Sequence, residues 1–287
     1  MRIVLAALLI GSVANAEAQG PGPLYLVGGG PQPLELVKEF VAIAGGPGKA
    51  RIVIFAMASA EGLQSGEEKA VELRGLGAEA VNLYLTREQA DADSAARLVS
   101  SATGVWFGGG DQVTLAAALR GTKTAAAIQA RHRHGAVVGG TSAGAAIMST
   151  PMITGVERRR GGSRPPADST VVNLTIARNN VTIEDGLGYV TNAIIDQHFV
   201  RRRRHNRLLS LVLEHPVHLG AGIDESTALI VEPNGSWRVA GASVVVVYDA
   251  RRSRFGSTGP LSATGIITHI LPAGARFDPA TATATLP

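Results

Sequence analysis

Short apolar runs alternate with longer mixed stretches through the first half of the chain. Leu24–Val27, Arg51–Ala56, Ala80–Leu85 and Gly104–Phe107 are brief, mostly apolar and bounded by glycine or polar residues, which predicts buried strands. Between them, Leu34–Ala44, Glu67–Leu76, Asp91–Ser101 and Val113–Ala130 read as helices. A further apolar run, Ala136-Val137-Val138, enters a series of small residues. Strands alternating with helices predict an α/β fold with a doubly wound, mainly parallel sheet. Functional groups in such sheets gather at the C-terminal edges of the strands. Gly28–Gly30, Gly108–Gln112 and Ser142 all fall at such edges.

The later pattern is different. Thr227–Val231, Trp237–Ala240, Ser243–Tyr248 and Gly265–Leu271 read as short strands joined by turns such as Asn234-Gly235. They predict a C-terminal antiparallel β extension of the same sheet. Asp278–Pro287, rich in alanine and threonine, is expected to be a frayed tail. Gly155–Thr170 is rich in Arg, Gly and Pro without hydrophobic periodicity, so an exposed mobile loop is expected there. No internal repeat is visible.

The extreme N-terminus carries a different signal. Met1-Arg2 precedes an apolar stretch from Ile3 to Ile10, and Ala14-Asn15-Ala16 offers a small-x-small cleavage site, with Ala16-Glu17-Ala18 as the alternative. Residues 1–18 are therefore expected to be a secretory signal peptide, and 19–287 one domain of a secreted or periplasmic protein. No later run reaches the roughly 18 apolar residues of a membrane span, so no membrane insertion is expected once the signal is removed.

Composition narrows the chemistry. The chain has no cysteine, which excludes disulfides, thiol catalysis and Cys-ligated metals. The net charge of +4 is concentrated in two runs, Arg158–Arg160 with Arg164, and Arg201–Arg204 with Arg207. Aromatics are 4% of residues and do not interleave with those arginines, so no nucleic-acid partner is expected. Gly28-Gly29-Gly30-Pro31 does not complete a dinucleotide fingerprint, because Pro33 stands where the last glycine belongs. No cofactor and no metal are expected.

Gly140-Thr141-Ser142-Ala143-Gly144 has the Gly-x-Ser-x-Gly spacing of a nucleophile elbow, where a sharp strand-to-helix turn lifts the serine hydroxyl clear of the sheet. The N–H of Ala143 would face a developing oxyanion, with Gly109 or Gly110 supplying a second donor. A hydroxyl needs a neutral imidazole as base, and the imidazole needs an acid to orient it. His198 follows an apolar run beside Asp196 and Gln197, whereas the other histidines lack such a setting. Downstream acids stand in Gly222-Ile223-Asp224-Glu225. Asp224 would face away from Glu225 if the strand continued through it.

Together, Gly139–Ala145, Asp196-Gln197-His198-Phe199 with its spaced arginines, and Gly222–Glu225 resemble the serine peptidase family that holds cyanophycinase and aspartyl dipeptidase (peptidase E). The likeness runs from about Leu24 to about Asp249. It implies the fold of class I glutamine amidotransferases, with serine in place of the usual cysteine. It implies Ser142 as nucleophile, His198 as base and Glu225 as the orienting acid. Gln112, Gln197, Arg202, Arg204 and Arg207 match positions lining the family's substrate site, and Asp196 would hold a substrate amine or an arginine. If Arg201–Arg207 were helical, Arg204 and Arg207 would be neighbours on one face. The implied substrate is a peptide, or the polymer cyanophycin, a poly-aspartate backbone with arginine on its side-chain carboxyls. The expected activity is release of β-Asp-Arg dipeptides by an exopeptidase. Two alternatives remain open: a peptidase of the family acting on other aspartyl or isoaspartyl peptides, and a non-catalytic binding protein on the same fold. Homodimerisation is also left open.

Overall fold

The computed structural model describes residues 20–157 and 175–287. The expected signal peptide and the Arg158–Arg164 cluster lie outside the described residues. From the N-terminal side the elements are β1 (Leu24–Val27), α1 (Leu34–Ile43), β2 (Arg51–Phe55), α2 (Gly62–Gly75), β3 (Glu79–Asn82), α3 (Arg87–Ala90), α4 (Asp93–Val99), β4 (Gly104–Phe107), α5 (Gln112–Leu119), α6 (Lys123–Arg133), β5 (Val137–Thr141) and α7 (Ala143–Ala146). There follow β6 (Met152–Glu157), β7 (Val181–Glu184), β8 (Ala193–Asp196), α8 (His205–Glu214), β9 (Leu219–Ile223), β10 (Thr227–Val231), β11 (Trp237–Gly241) and β12 (Val244–Asp249). The last five strands are β13 (Arg254–Phe255), β14 (Ala263–Thr264), β15 (Ile267–Pro272), β16 (Arg276–Asp278) and β17 (Thr283–Thr285).

A nine-stranded sheet, ordered β17-β16-β11-β10-β1-β5-β4-β2-β3, organises the molecule. β1, β5, β4, β2 and β3 run parallel, as the alternating pattern predicts. β10 joins β1 antiparallel and carries β11, β16 and β17 in the same manner. A second sheet, β15-β12-β9-β8, pairs β8 with β9 in parallel and adds β12 and β15 antiparallel. Its strands and those of the nine-stranded sheet share one apolar core, in which Leu26, Phe107, Val138, Ile195, Ile223 and Val247 are buried together.

Three expectations need correction. Val113–Ala130 is two helices: Gly121 turns the chain at φ +76° and the Thr122 side chain caps α6 through the Ala125 N–H. The C-terminal extension is divided, because β12 and β15 belong to the second sheet. The last residues are a paired hairpin, in which β16 aligns Arg276 with Thr285 and Asp278 with Thr283. Asp278 builds that turn by accepting from the Ala280 N–H and the Thr281 hydroxyl, at 2.8 and 2.9 Å.

Candidate active site

The nucleophile's position follows from backbone packing. Ser142 leaves β5 at φ +54°, ψ −113°, a conformation costing about 1–3 kcal/mol for a residue with a side chain. Surrounding structure holds it there. Its N–H donates to Val27 O at 3.0 Å, and Ala143–Ile147 are buried in the shared core. Gly144 must be glycine, since a Cβ there would collide with the Phe107 carbonyl. The elbow geometry expected of Gly140–Gly144 is therefore present.

β8 and the link after β9 bring up the base and the acid. His198 Nε2 lies 2.9 Å from Ser142 Oγ, and His198 Nδ1 lies 2.6 Å from Glu225 Oε1. With Nδ1–H donating to the carboxylate, the Nε2 lone pair accepts the serine proton. His198 also has positive φ, +48°, and its backbone N–H donates to Gly28 O at 2.6 Å. The imidazole packs so closely over Gly29 that a Cβ there would overlap the ring. Thus the loop after β1, whose glycines fall at a strand edge in the sequence pattern, packs against the histidine ring. Burial pushes the His198 pKa below its ordinary value, and Arg202 and Arg204 push it further down, against the bond to Glu225. At neutral pH the ring is the neutral base that serine activation needs.

The oxyanion side is equally local. Ala143 begins α7, and Gly109 lies against the serine: a Cβ at Gly109 would sit 3.5 Å from Ser142 Cβ. Among the described residues no acceptor is bonded to the N–H of either. Gly110 turns away, and its Cβ position is filled by the Ala58 carbonyl. The structure brings Gly109, and not Gly110, up to the serine.

The expected substrate residues separate into two groups. Asp196 is fully buried and forms a two-pronged ion pair with the buried Arg207, whose Nε donates to Asp196 Oδ2 at 2.7 Å and whose Nη2 donates to Oδ1. Arg207 Nη2 also reaches Gln197 Oε1 at 3.3 Å, and the Gln197 N–H donates to Asp196 Oδ1 at 2.8 Å. Asp196, Gln197 and Arg207 therefore satisfy one another in a buried cluster, which corrects the expectation that they present free groups to substrate. An unpaired buried charge would cost several kcal/mol, so the pair stays closed. Of the two alternatives for Asp196, the arginine is realised. Gln112 is also buried, with its Nε2 donating to Ile153 O at 2.7 Å, so it holds β6 in place.

Arg202 and Arg204 remain beside His198. Arg204 Nη1 donates to Gln197 O at 2.7 Å and stands 3.7 Å from Asp196 Oδ1. The single helical face expected for Arg204 and Arg207 is not formed. α8 begins only at His205, and Arg203 adopts φ +52° in the turns before it.

One supporting residue was not assigned a role from the sequence. Asp224 Oδ1 accepts from the N–H groups of Val200 and Arg201 at 3.0 and 2.9 Å, and Oδ2 accepts from Ser243 Oγ at 2.8 Å. Asp224 thus ties down the turn that carries His198 while Glu225 binds the ring itself. Adjacent acids with divergent side chains were the only signal of this division.

A serine–histidine–glutamate relay at the C-terminal edge of a mixed α/β sheet defines a serine hydrolase. Residues 26–237 match Peptidase family S51, and the chain belongs to that family of serine-type peptidases. It is 34% identical over 252 residues to the cyanophycinase of Trichormus variabilis, covering 85% of this chain and 80% of that protein. It is 31% identical over 253 residues to the cyanophycinase of Geminocystis herdmanii, covering 85% and 88%. The crystal structure of a peptidase from an acI-B1 Actinobacterium superposes with a TM-score of 0.63 at 23% identity, over 88% of this chain and 99% of that one, a likeness of fold. Among the described residues no cluster of three or more metal-ligating side chains is assembled, and no helix is long and apolar enough to cross a membrane.

Proposed function

We propose that this peptidase is an exported exopeptidase that hydrolyses cyanophycin to β-Asp-Arg dipeptides through an acyl-enzyme on Ser142. The observation that carries the reading is the continuous Ser142–His198–Glu225 relay, at 2.9 and 2.6 Å, in a chain similar to cyanophycinases along most of its length. Ser142 Oγ attacks the scissile carbonyl carbon while His198 Nε2 takes the hydroxyl proton. The oxyanion is held by the N–H groups of Ala143 and Gly109. Collapse breaks the C–N bond, and the imidazolium returns its proton to the leaving amine. Water then repeats the sequence in reverse, with His198 as base, to free the acid product and Ser142. Arg202 and Arg204 border this route and suit a carboxylate of the substrate. Export rests on the N-terminal pattern of residues 1–18.

The deciding experiment is incubation of the purified protein with cyanophycin and identification of the products by mass. β-Asp-Arg dipeptides are expected. Turnover of other aspartyl or isoaspartyl peptides with cyanophycin left intact would replace the substrate and keep the mechanism. No covalent labelling of Ser142 by a fluorophosphonate would favour the binding-protein alternative.

A further inference from the structure

A cavity of about 430 Å³ lies under α2, against the C-terminal ends of β2, β4 and β5. Gly109 and Thr141 form part of its wall, so it adjoins the residues that flank Ser142. Its floor is apolar, made by Ile54, Ala56 and Trp106. Its other side is polar, with Gln32, Glu68, Lys69 and Glu72. Glu68 and Glu72 are four residues apart on α2 and so share a face of the helix.

The cavity already demonstrates how it treats a cation. Lys69 sets its ammonium 4.7 Å above the centre of the Trp106 ring. The same ammonium donates to Gln32 Oε1 and Glu72 Oε2, both at 2.7 Å. What remains is mainly acceptor capacity. Glu68 Oε1 accepts from Gln64 Nε2 at 2.9 Å, while Glu68 Oε2 and Glu72 Oε1 have no partner among the described residues. Two carboxylates against one ammonium leave the cavity net negative. The histidine side of the site carries Arg202 and Arg204 instead. The two flanks are therefore opposite in sign.

From this arrangement we infer that the α2 cavity is the subsite for a basic side chain of the substrate, of the arginine type, whose guanidinium is shared by Glu68 and Glu72. The inference rests on the peptidase reading above and names the group that its α2 flank selects. A long methylene stem suits the floor of Ile54, Ala56 and Trp106. A planar fork with several donors suits two carboxylates on one helix face better than a compact ammonium does.

The test compares short β-linked aspartyl peptides carrying either arginine or its neutral isostere citrulline. Wild-type protein is expected to prefer arginine. Glu68→Gln and Glu72→Gln should each reduce that preference about tenfold through KM, with kcat and citrulline turnover little changed. Glu72→Gln also frees Lys69, so Glu68→Gln, which disturbs only the contact with Gln64, keeps the test valid if the former unfolds. Labelling of Ser142 by a small neutral fluorophosphonate should proceed at the wild-type rate in both variants. An unchanged preference with unchanged labelling overturns the subsite alone. A preference for acidic side chains would overturn it by assigning the cavity's sign to Lys69. No labelling of the wild-type protein would remove the peptidase reading, and the subsite with it.

Discussion

The two halves of the relay are held by different means. Ser142 is fixed by backbone: a positive φ, a hydrogen bond to Val27 O, and a helix start packed against Phe107 through Gly144. His198 is fixed largely by charge and polar side chains: Glu225 on its ring, Asp224 on the turn that follows it, and the Asp196–Arg207 pair anchoring the chain two residues before it. The comparison teaches that a nucleophile can be positioned by steric exclusion, whereas a titrating base needs fixed dipoles and carboxylates around it. Steric placement is insensitive to pH and salt, whereas electrostatic placement is open to tuning.

The sharpest division of the two halves comes from removing the hydroxyl alone. Ser142→Ala should leave folding unchanged and lower kcat by about ten-thousandfold or more, the remainder coming from oxyanion donors and binding. Thermal unfolding alongside turnover checks it. Near-normal turnover would contradict the nucleophile assignment.

The next largest effect should fall on the histidine side. Arg207→Met leaves the buried Asp196 with only Arg204, 3.7 Å away, as a charged neighbour, an expected loss of about 3 kcal/mol of stability measured by denaturant unfolding. Combining it with Asp196→Leu should recover most of that loss, because the pair is replaced by apolar volume. No comparable rescue is expected for the elbow, where the constraint is steric. Failure of the double variant to recover would mean that the pair contributes far more than mutual neutralisation.

The smallest effect is in the pH profile. Burial and the neighbouring arginines lower the His198 pKa, so the acid limb of kcat/KM should lie below the ordinary histidine value of 6.5. Activity is present above that limb and lost as pH falls through it. Arg202→Gln removes a positive neighbour and should move the limb upward, while Glu225→Gln should move it downward along with a large loss of rate. A limb that stays in place in Arg202→Gln would show that Arg202 has no part in setting it, leaving burial, Arg204 and Glu225.

The same contrast explains what the chain makes legible. Close backbone approach admits few residue types, so Gly140-Thr141-Ser142-Ala143-Gly144 announces its turn. Of the parallel strands, β1, β2 and β4 are equally plain, because their buried positions are apolar, whereas the edge strand β3 is half-exposed and mixed. A buried ion pair leaves no such mark. Arg207 has the composition of a substrate clamp, and only the fold turns it inward onto Asp196. The final hairpin leaves no mark for a related reason: Thr283–Thr285 is exposed, so it has no apolar alternation to betray pairing with β16. α2 was read only as a helix, because Glu68 and Glu72 look like any solvated face until the cavity beneath them is seen.

Ser142 extends from the nine-stranded sheet, His198 follows β8 of the second sheet, and Glu225 lies in the short link that crosses from β9 to β10. The relay is therefore a proximity gauge for the seam between the sheets. A slippage too small to melt either sheet would still part a hydrogen bond of 2.9 Å. On gentle denaturation, turnover should disappear before secondary structure does, with the catalytic centre as the first reporter of a loosening interior.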